Sequence, residues 1–374
     1  MPDSKIAVWG RSPCFMQGFD GVRFYPRLGI GGLRDLLHAR VVLWGGGQLL
    51  QGNRSRIKVP YWCARIAFLR VLRKRIMGFA QGVGPLPRTL DRRLARFAVG
   101  CTEVFTVRDQ ESLKILEEIY VPRRKVFLTG DPALTLSPEA RRESDKAAPL
   151  SRAPRLQKSL RPRHTFGVSL RYTCHHRSTR MIPFQFLPSS IRRRIFRSHD
   201  FCTYIDAMVH LWDRVFEELG PKITFVPMYY APWETDEIIA ELVMRRMKYK
   251  KHARIFRPSG GVDETCELLQ TFDAFVGTPM HATLLATCRM VPTLALYYEP
   301  KGLDFFRRIE QQTWAFPVDE IWRQNGPDRL YGRIRALWFE KARVRADLQR
   351  TIPPLMRLAA TNIDHLSTFL NRER

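Results

Sequence analysis

The feature that most constrains this chain is a repeated alternation. Short apolar runs ending in Gly, Asp, Arg or Glu are each followed by a segment with helical apolar spacing. Runs of four to eight apolar residues separated by amphipathic helices are the pattern of α/β units around parallel sheets. In the first half the predicted strands are Lys5–Trp9, Val41–Trp44, Arg75–Ala80, Glu103–Val107 and Lys125–Leu128, with helices at Leu90–Val99 and Gln110–Ile119. In the second half they are Thr165–Arg171, Lys222–Pro227, Arg254–Phe256, Ala274–Gly277 and Pro292–Tyr297. Helices are expected at Tyr204–Leu219, Glu234–Lys250, Asp263–Leu269 and His281–Cys288. Between the halves the stretch from Pro138 to His164 is rich in Pro, Ser, Ala and Arg and has no apolar period, so it reads as a linker. The organisation expected is an N-terminal Rossmann-like domain over 1–137, a basic linker over 138–164, a C-terminal Rossmann-like domain over 165–312 and a helical segment over 313–374. That last segment is expected to be interrupted at Pro353–Pro354. The fold class is therefore α/β, with two doubly wound domains facing a cleft, and such sheets bind ligands at the carboxyl ends of their strands.

Those carboxyl ends carry the residues with chemical potential. Gly45-Gly46-Gly47 follows Val41–Trp44, and glycines there let backbone N–H groups approach an anion without Cβ obstruction. Gly82 and Gly84 follow the next strand in the same way, which would put two open turns on one rim. Neither sequence is a GxGxxG or a Walker loop. Arg108 closes the next strand beside Asp109, an N-cap residue. It points either to a ligand or into a salt bridge with Asp109 or Asp131. Asp131 is held extended by Pro132. In the second half, Arg171 ends a strand with a guanidinium suited to carboxylate or phosphate. Gly277-Thr278-Pro279-Met280-His281 joins a strand to a helix and sets His281 in the first turn. There a neutral imidazole is favoured and can act as base or hydrogen-bond donor. Glu299 and Lys301 close the last strand of the set.

Taken in order, VVLWGGGQLLQ, FAQGVGPL, FTVRDQES, LTGDPALTL, GVSLR, FDAFVGTPMHATLLA and LALYYEPKGLDFF resemble the polysaccharide pyruvyl transferase family over residues 41 to 306. The resemblance implies a GT-B-like fold. It also implies transfer of the pyruvyl group of phosphoenolpyruvate to a sugar of a surface polysaccharide or its lipid-linked precursor, with a pyruvate ketal as product and phosphate lost. In the family, the arginine after the second domain's first strand and the histidine of the later motif are associated with phosphoenolpyruvate; here they match Arg171 and His281. Thr278, Glu299, Lys301, Arg108, Asp131 and the glycines Gly45, Gly46, Gly47, Gly82 and Gly84 are then substrate-binding candidates. Two departures stand out. Pro279 occupies the place of the arginine that usually precedes the histidine by two residues, and residues 10–39 lack the family's Asn…Gly-Asp opening. Arg289, Arg108 or Lys301 would have to supply the missing charge, or catalysis is reduced. A nucleotide-sugar glycosyltransferase on the same fold and a non-catalytic anion- or membrane-binding relative are the other readings.

Composition bears on partners. Subtracting 36 Asp+Glu from 62 Lys+Arg gives a net charge of +26, which calls for anionic partners. Residues 151–200 hold twelve Lys/Arg against Asp200 alone. Within them, 181–197 interleaves Phe184, Phe186, Ile191, Ile195 and Phe196 with arginines, as a helix lying on an anionic membrane would. No zinc finger, RRM core or homeodomain pattern supports nucleic acid. The seven cysteines are scattered and never form CxxC, so neither a disulfide framework nor a metal site is expected. Phosphoenolpyruvate is expected as donor substrate, with no separate cofactor. The opening residues lack a leader's basic flank and apolar core, and no apolar run is long enough to span a bilayer. The expected location is cytoplasmic, with the inner membrane face as a peripheral site.

Overall fold

The computed structural model describes residues 5–10, 22–26, 31–53, 55–136, 164–172, 188–229, 236–258 and 262–372, with Arg192 described by its backbone alone. Residues 138–163 of the expected linker and 181–187 of the basic segment lie outside them. The fold is α/β with parallel sheets, as the alternation predicts, and the chain divides into two compact units. One comprises Met1–Pro132 and Arg357–Arg374, the other Ala133–Met356.

The first unit opens with a small parallel pair, β1 (Ile6–Gly10) and β2 (Val22–Pro26). After helix α1 (Leu33–His38) comes a four-stranded parallel sheet. Its strands are β3 (Val41–Leu50), β4 (Arg75–Val83), β5 (Val104–Val107) and β6 (Val126–Leu128), adjacent in that order. The connecting helices are α2 (Lys58–Val71), α3 (Thr89–Gly100) and α4 (Gln110–Glu118). Three right-handed crossovers running in one direction put all three helices on one face of the sheet. One apolar cluster on that face unites Cys63, Ile66 and Leu69 of α2, Ala95, Ala98 and Val99 of α3, and Leu113 and Leu116 of α4 with Ile76 and Phe105.

Neighbouring strand residues point to opposite faces, so Met77 and Val104 need a different cover. The chain's last helix supplies it: Phe369 is fully buried against Met77 and Val104, with Leu366 and Leu370 beside it. Asn362 fixes this docking. Its Oδ1 accepts from Thr106 Oγ1 (2.7 Å) and Thr129 Oγ1 (2.9 Å), while its Nδ2 donates to the Gly130 and Ala359 carbonyls at 3.0 and 2.9 Å. Gly130 must be glycine, since a Cβ there would lie 2.9 Å from Ala359.

The second unit holds β7 (Thr165–Ser169), β8 (Lys222–Phe225), β9 (Ala253–Ile255), β10 (Ala274–Gly277), β11 (Thr293–Tyr297) and β12 (Ala315–Pro317). They form one parallel sheet in the order β12-β11-β10-β7-β8-β9. Its helices are α5 (Ser189–Phe196), α6 (His199–Leu219), α7 (Asp236–Arg246), α8 (Val262–Leu269), α9 (Met280–Cys288) and α10 (Pro300–Arg308). The chain winds outward from β7 through β8 and β9, then returns to the other side of β7 and winds outward through β10, β11 and β12. The switch point of this double winding lies between β7 and β10. Strands β2 and β12 have no counterpart in the sequence reading, being too short or too irregular to carry a period.

Helix α11 (Gly326–Asn371) runs unbroken for 46 residues, where an interruption at Pro353–Pro354 was expected. The two prolines remove two N–H donors, yet the turn continues; Thr351 Oγ1 donates to the Asp347 carbonyl at 3.0 Å beside them. The part of α11 up to Met356 belongs to the second unit, where Trp338 stacks on Phe166 at 5.5 Å, and the rest to the first.

Two predictions follow from the docking of α11. Asn362→Leu removes the acceptor of the Thr106 hydroxyl proton and the side-chain donor to the Gly130 carbonyl, and should cost about 1–3 kcal/mol in chemical denaturation; an unchanged midpoint would refute this role of Asn362. The His365 ring packs at 4.3 Å on Phe127, and burial lowers its pKa, a shift that Asp364 opposes. Its neutral form therefore stabilises the fold above pH 6.5, and that contribution is lost as pH falls through the lowered value. His365→Leu should flatten the fall in melting temperature between about pH 7 and pH 5.

Candidate functional site

At the carboxyl edge of the first sheet, β3 does not stop at Trp44. It continues through the glycine triplet to Leu50, with Gly45 paired to Phe79 and Gly47 to Gln81. Gly46 and Gly47 take φ of 54° and 104°, and the register shifts between Gly47 and Leu50, so the triplet is a strand irregularity, not a turn leaving the sheet. Among the described residues no atom lies within 4 Å of the Cβ positions of Gly45 and Gly46, and both glycines are exposed. Strand β4 is irregular at the same level, where Ala80 has φ 49° and its N–H is held by Thr106 Oγ1 at 2.7 Å.

Gly82 serves a packing role. A Cβ there would lie 3.3 Å from the Arg108 guanidinium, which is buried and donates to Asp131 at 2.5 Å. Of the two readings open for Arg108, the structure takes the ion pair with Asp131. Asp109 Oδ1 caps α4 by accepting from Ser112 N at 2.7 Å, as its position predicts. Gly84 takes φ 82°, and a Cβ would collide with Ile115. Gln81, fully buried, donates to the Trp44 carbonyl and leaves its Oε1 without a partner.

At the carboxyl edge of the second sheet, the switch point brings together residues that are distant in sequence. Ser169, the last residue of β7, is in register with Gly277, the last of β10, and Thr278 N donates to the Ser169 carbonyl at 2.8 Å. Ser169 Oγ and Thr278 Oγ1 are both buried without a hydrogen-bond partner. Buried hydroxyls are normally satisfied, so two orphans at the ends of adjacent strands are an exception to the rule. Pro279 is the N-cap of α9 and can offer no side-chain acceptor, and the first turn contains no acidic residue. Its positive end is thus left for an anion. His281 is exposed in that first turn.

Arg171 lies two residues past β7. It forms a bidentate pair with Asp236 at the start of α7, Nε to Oδ1 at 3.0 Å and Nη2 to Oδ2 at 2.9 Å, and its guanidinium lies 4.1 Å over the Tyr229 ring. Burial opposes its charge, but the Asp236 carboxylate and its hydrogen bonds outweigh burial, so the pKa is raised and Arg171 stays a cation. Asp236 also accepts from Met228 N at 3.3 Å. Neither Asp236 nor Tyr229 was foreseen, because no local pattern marks a partner 65 residues away.

A pocket opens at the ends of β10 and β11. Thr278, Met280, Tyr297, Tyr298, Glu299 and Lys301 line it. Lys301 Nζ pairs with Glu299 Oε2 at 3.0 Å. Gly302 lets α10 approach β11, for a Cβ would lie 2.8 Å from that of Tyr297. The structure thus unites Thr278, Glu299 and Lys301 in one pocket; Arg171 and His281 are not among its lining residues. It also places the three cations weighed against Pro279 in different surroundings. Arg289 caps the opposite end of α9 and donates to the Leu136 carbonyl, and Arg108 is bound to Asp131. Lys301 alone of the three shares a pocket with Thr278.

Among the described residues no group of His, Cys, Asp and Glu could hold a metal ion, and no helix is long and apolar enough to cross a membrane. Of the segment expected on a membrane, α5 exposes Ile191 but turns Phe196 onto Phe201, with ring centroids 5.2 Å apart.

The fold is that of known sugar-nucleotide proteins. S. aureus MnaA, solved with UDP, superposes with a TM-score of 0.56 at 11% identity, over 91% of this chain and 78% of that one. UDP-GlcNAc 2-epimerase of Neisseria meningitidis, solved with UDP-GlcNAc, gives 0.50 at 12% identity, over 92% and 80%. The Methanocaldococcus jannaschii UDP-GlcNAc 2-epimerase gives 0.50 at 12%, over 84% and 78%. At such identities the likeness concerns the fold. No curated protein matches the chain. The sequence itself fits the family model "Polysaccharide pyruvyl transferase" over residues 7–300, and the chain belongs to that family.

Proposed function

We propose that this chain transfers the pyruvyl group of phosphoenolpyruvate to a sugar of a surface polysaccharide or its lipid-linked precursor, as a pyruvate ketal. The observation that carries the reading is the switch point of the second sheet, where a fixed cation, two orphan hydroxyls and an uncapped helix N-terminus lie at the ends of the adjacent strands β7 and β10. The adjoining pocket supports an anionic donor, since Thr278 and Lys301 both line it.

In the proposed reaction two acceptor hydroxyls each form a C–O bond to C2 of the donor, and the bond from C2 to the phosphate oxygen breaks. One hydroxyl proton ends on C3, turning the methylene into a methyl group, and the other leaves with the phosphate. Arg171, whose Nη1 is not engaged by Asp236, presents a charged edge to the donor's carboxylate or phosphate. The N-terminal amides of α9 and the Thr278 hydroxyl receive the phosphate oxygens. Lys301 supplies the cation that Pro279 cannot. His281 moves the proton, its exposed position leaving room for the acceptor. Fixed charges of this kind stabilise the leaving phosphate without reorganising.

Calorimetry should find phosphoenolpyruvate binding between about 1 μM and 1 mM, the usual range for metabolites, and no binding of UDP. The reverse result would replace this reading with a nucleotide-sugar transferase. His281→Ala should keep donor binding and lose about 100-fold or more in turnover; full activity in that variant would remove His281 from the chemistry.

Arg171 requires a second comparison, because Arg171→Ala also strands a buried carboxylate. The single variant should lose about 3–5 kcal/mol of stability, and adding Asp236→Ala should restore part of it. Donor binding should stay absent in the double variant. If the double variant binds phosphoenolpyruvate like the wild type, Arg171 is structural only.

A further inference from the structure

Helix α2 is apolar on two opposite sides. Val59, Cys63, Ile66 and Leu69 pack onto the sheet, as a helix in an α/β layer must. On the other side Ile57, Tyr61, Ala64, Phe68 and Val71 recur at alternating four- and three-residue spacing, which is a second stripe along one helix face. This stripe is in water: Ile57 is 68% exposed, Phe68 50% and Val71 78%. Helix α3, packed alongside α2, adds Leu90 at 58% and Phe97 at 51%. Single exposed apolar residues need no explanation, but a contiguous set on adjacent helices marks an interaction surface.

The charge of the same surface selects the partner. Helix α2 contains no acidic residue, and the one acid of α3, Asp91, is buried and bound by Arg88 at 2.8 Å. The exposed side chains between the apolar ones are Arg70, Arg92, Arg93 and Arg96, and Arg65 lies 5.6 Å over the Tyr61 ring and 5.5 Å over that of Trp62. A nucleic acid would engage the arginines and leave Phe68, Val71 and Phe97 in water. An uncharged protein groove would do the reverse. An anionic bilayer takes both, with guanidinium groups at the lipid phosphates and the apolar stripe in the acyl boundary.

We infer that the outer face of α2 and α3 is a docking surface for anionic lipid, distinct from the basic segment 181–197. Helix α2 would lie parallel to the membrane plane, about 21 Å long at 1.5 Å per residue.

The test is sedimentation with vesicles of phosphatidylcholine alone or with one third phosphatidylglycerol. The wild-type chain should bind the mixed vesicles, bind the neutral ones weakly, and release from the mixed ones as salt rises past the range where charges are screened. The triple variant Phe68→Ser, Val71→Ser, Phe97→Ser should lose at least about tenfold in partitioning with an unchanged melting temperature, since all three side chains are exposed. The variant Arg93→Gln, Arg96→Gln should lose the preference for phosphatidylglycerol. Ile191→Ser on α5 should bind as the wild type does. Wild-type failure to bind the mixed vesicles, or loss of binding on Ile191→Ser with retention in the triple variant, overturns the inference. So does conversion of a dimer to a monomer by the triple variant with vesicle binding intact, which would make the stripe a contact between two copies of this chain.

Discussion

A parallel sheet has two apolar faces, and both must be covered. The second unit meets this requirement by winding in both directions from β7, and the double winding creates the switch point. In the first unit the four described strands advance in one direction, so their crossover helices cover one face only. The far face of that sheet waits for residues after Arg357, synthesised more than 200 positions later than the strand they cover. The first unit is therefore complete only once the residues after Arg357 are present, and Asn362 and Phe369 are the ones that dock them.

The same sheets explain why the candidate chemistry sits at strand ends. Side chains within a strand of a doubly covered sheet are committed to a core, so polar function is displaced to the first residues beyond it. Arg171, Thr278, His281 and Lys301 all occupy such positions, as does Arg108 in the first unit. What separates them is partnering. Arg108 is enclosed with Asp131 and steadies the ends of β5 and β6. Arg171 is held by two bonds to Asp236 and keeps one edge of its guanidinium, so that carboxylate orients a cation without consuming it.

How much of this could be read from the chain follows from the range of each interaction. Apolar runs such as Val104–Val107 and Ala274–Gly277 announce strands because burial on both faces leaves no charged residue in them. Asp109 announces a cap because its bond to Ser112 is local. In sequence the glycine triplet reads as the end of a strand, since glycine marks a bulge as readily as a turn and only the pairing with β4 distinguishes them. Asp236, Asn362 and Gly302 carry no local signature at all; each is defined by a neighbour brought close by the fold. Arg289 and Lys301 look equivalent in composition, and the fold separates them: Arg289 is the C-cap of α9, while Lys301 lines a pocket with Thr278 and Met280 at its other end. Periodicity also does not report which side of a helix is inward, and α2, with two apolar stripes, exposes that ambiguity directly.

Net charge and the site are consequently separate matters. The cations nearest the candidate chemistry are each matched by a carboxylate: Arg171 by Asp236, Lys301 by Glu299, and in the other unit Arg108 by Asp131. Removing a charge from water is costly unless it is paired, so buried guanidinium groups bring acids with them and contribute little to any excess. The surplus of +26 must then lie outside these pairs, on surfaces such as that of α2 and α3, where arginines are exposed and the one acid is buried. A strongly basic composition thus reports surfaces open to an anionic partner, while the neutralised pairs at the strand ends leave no trace in it.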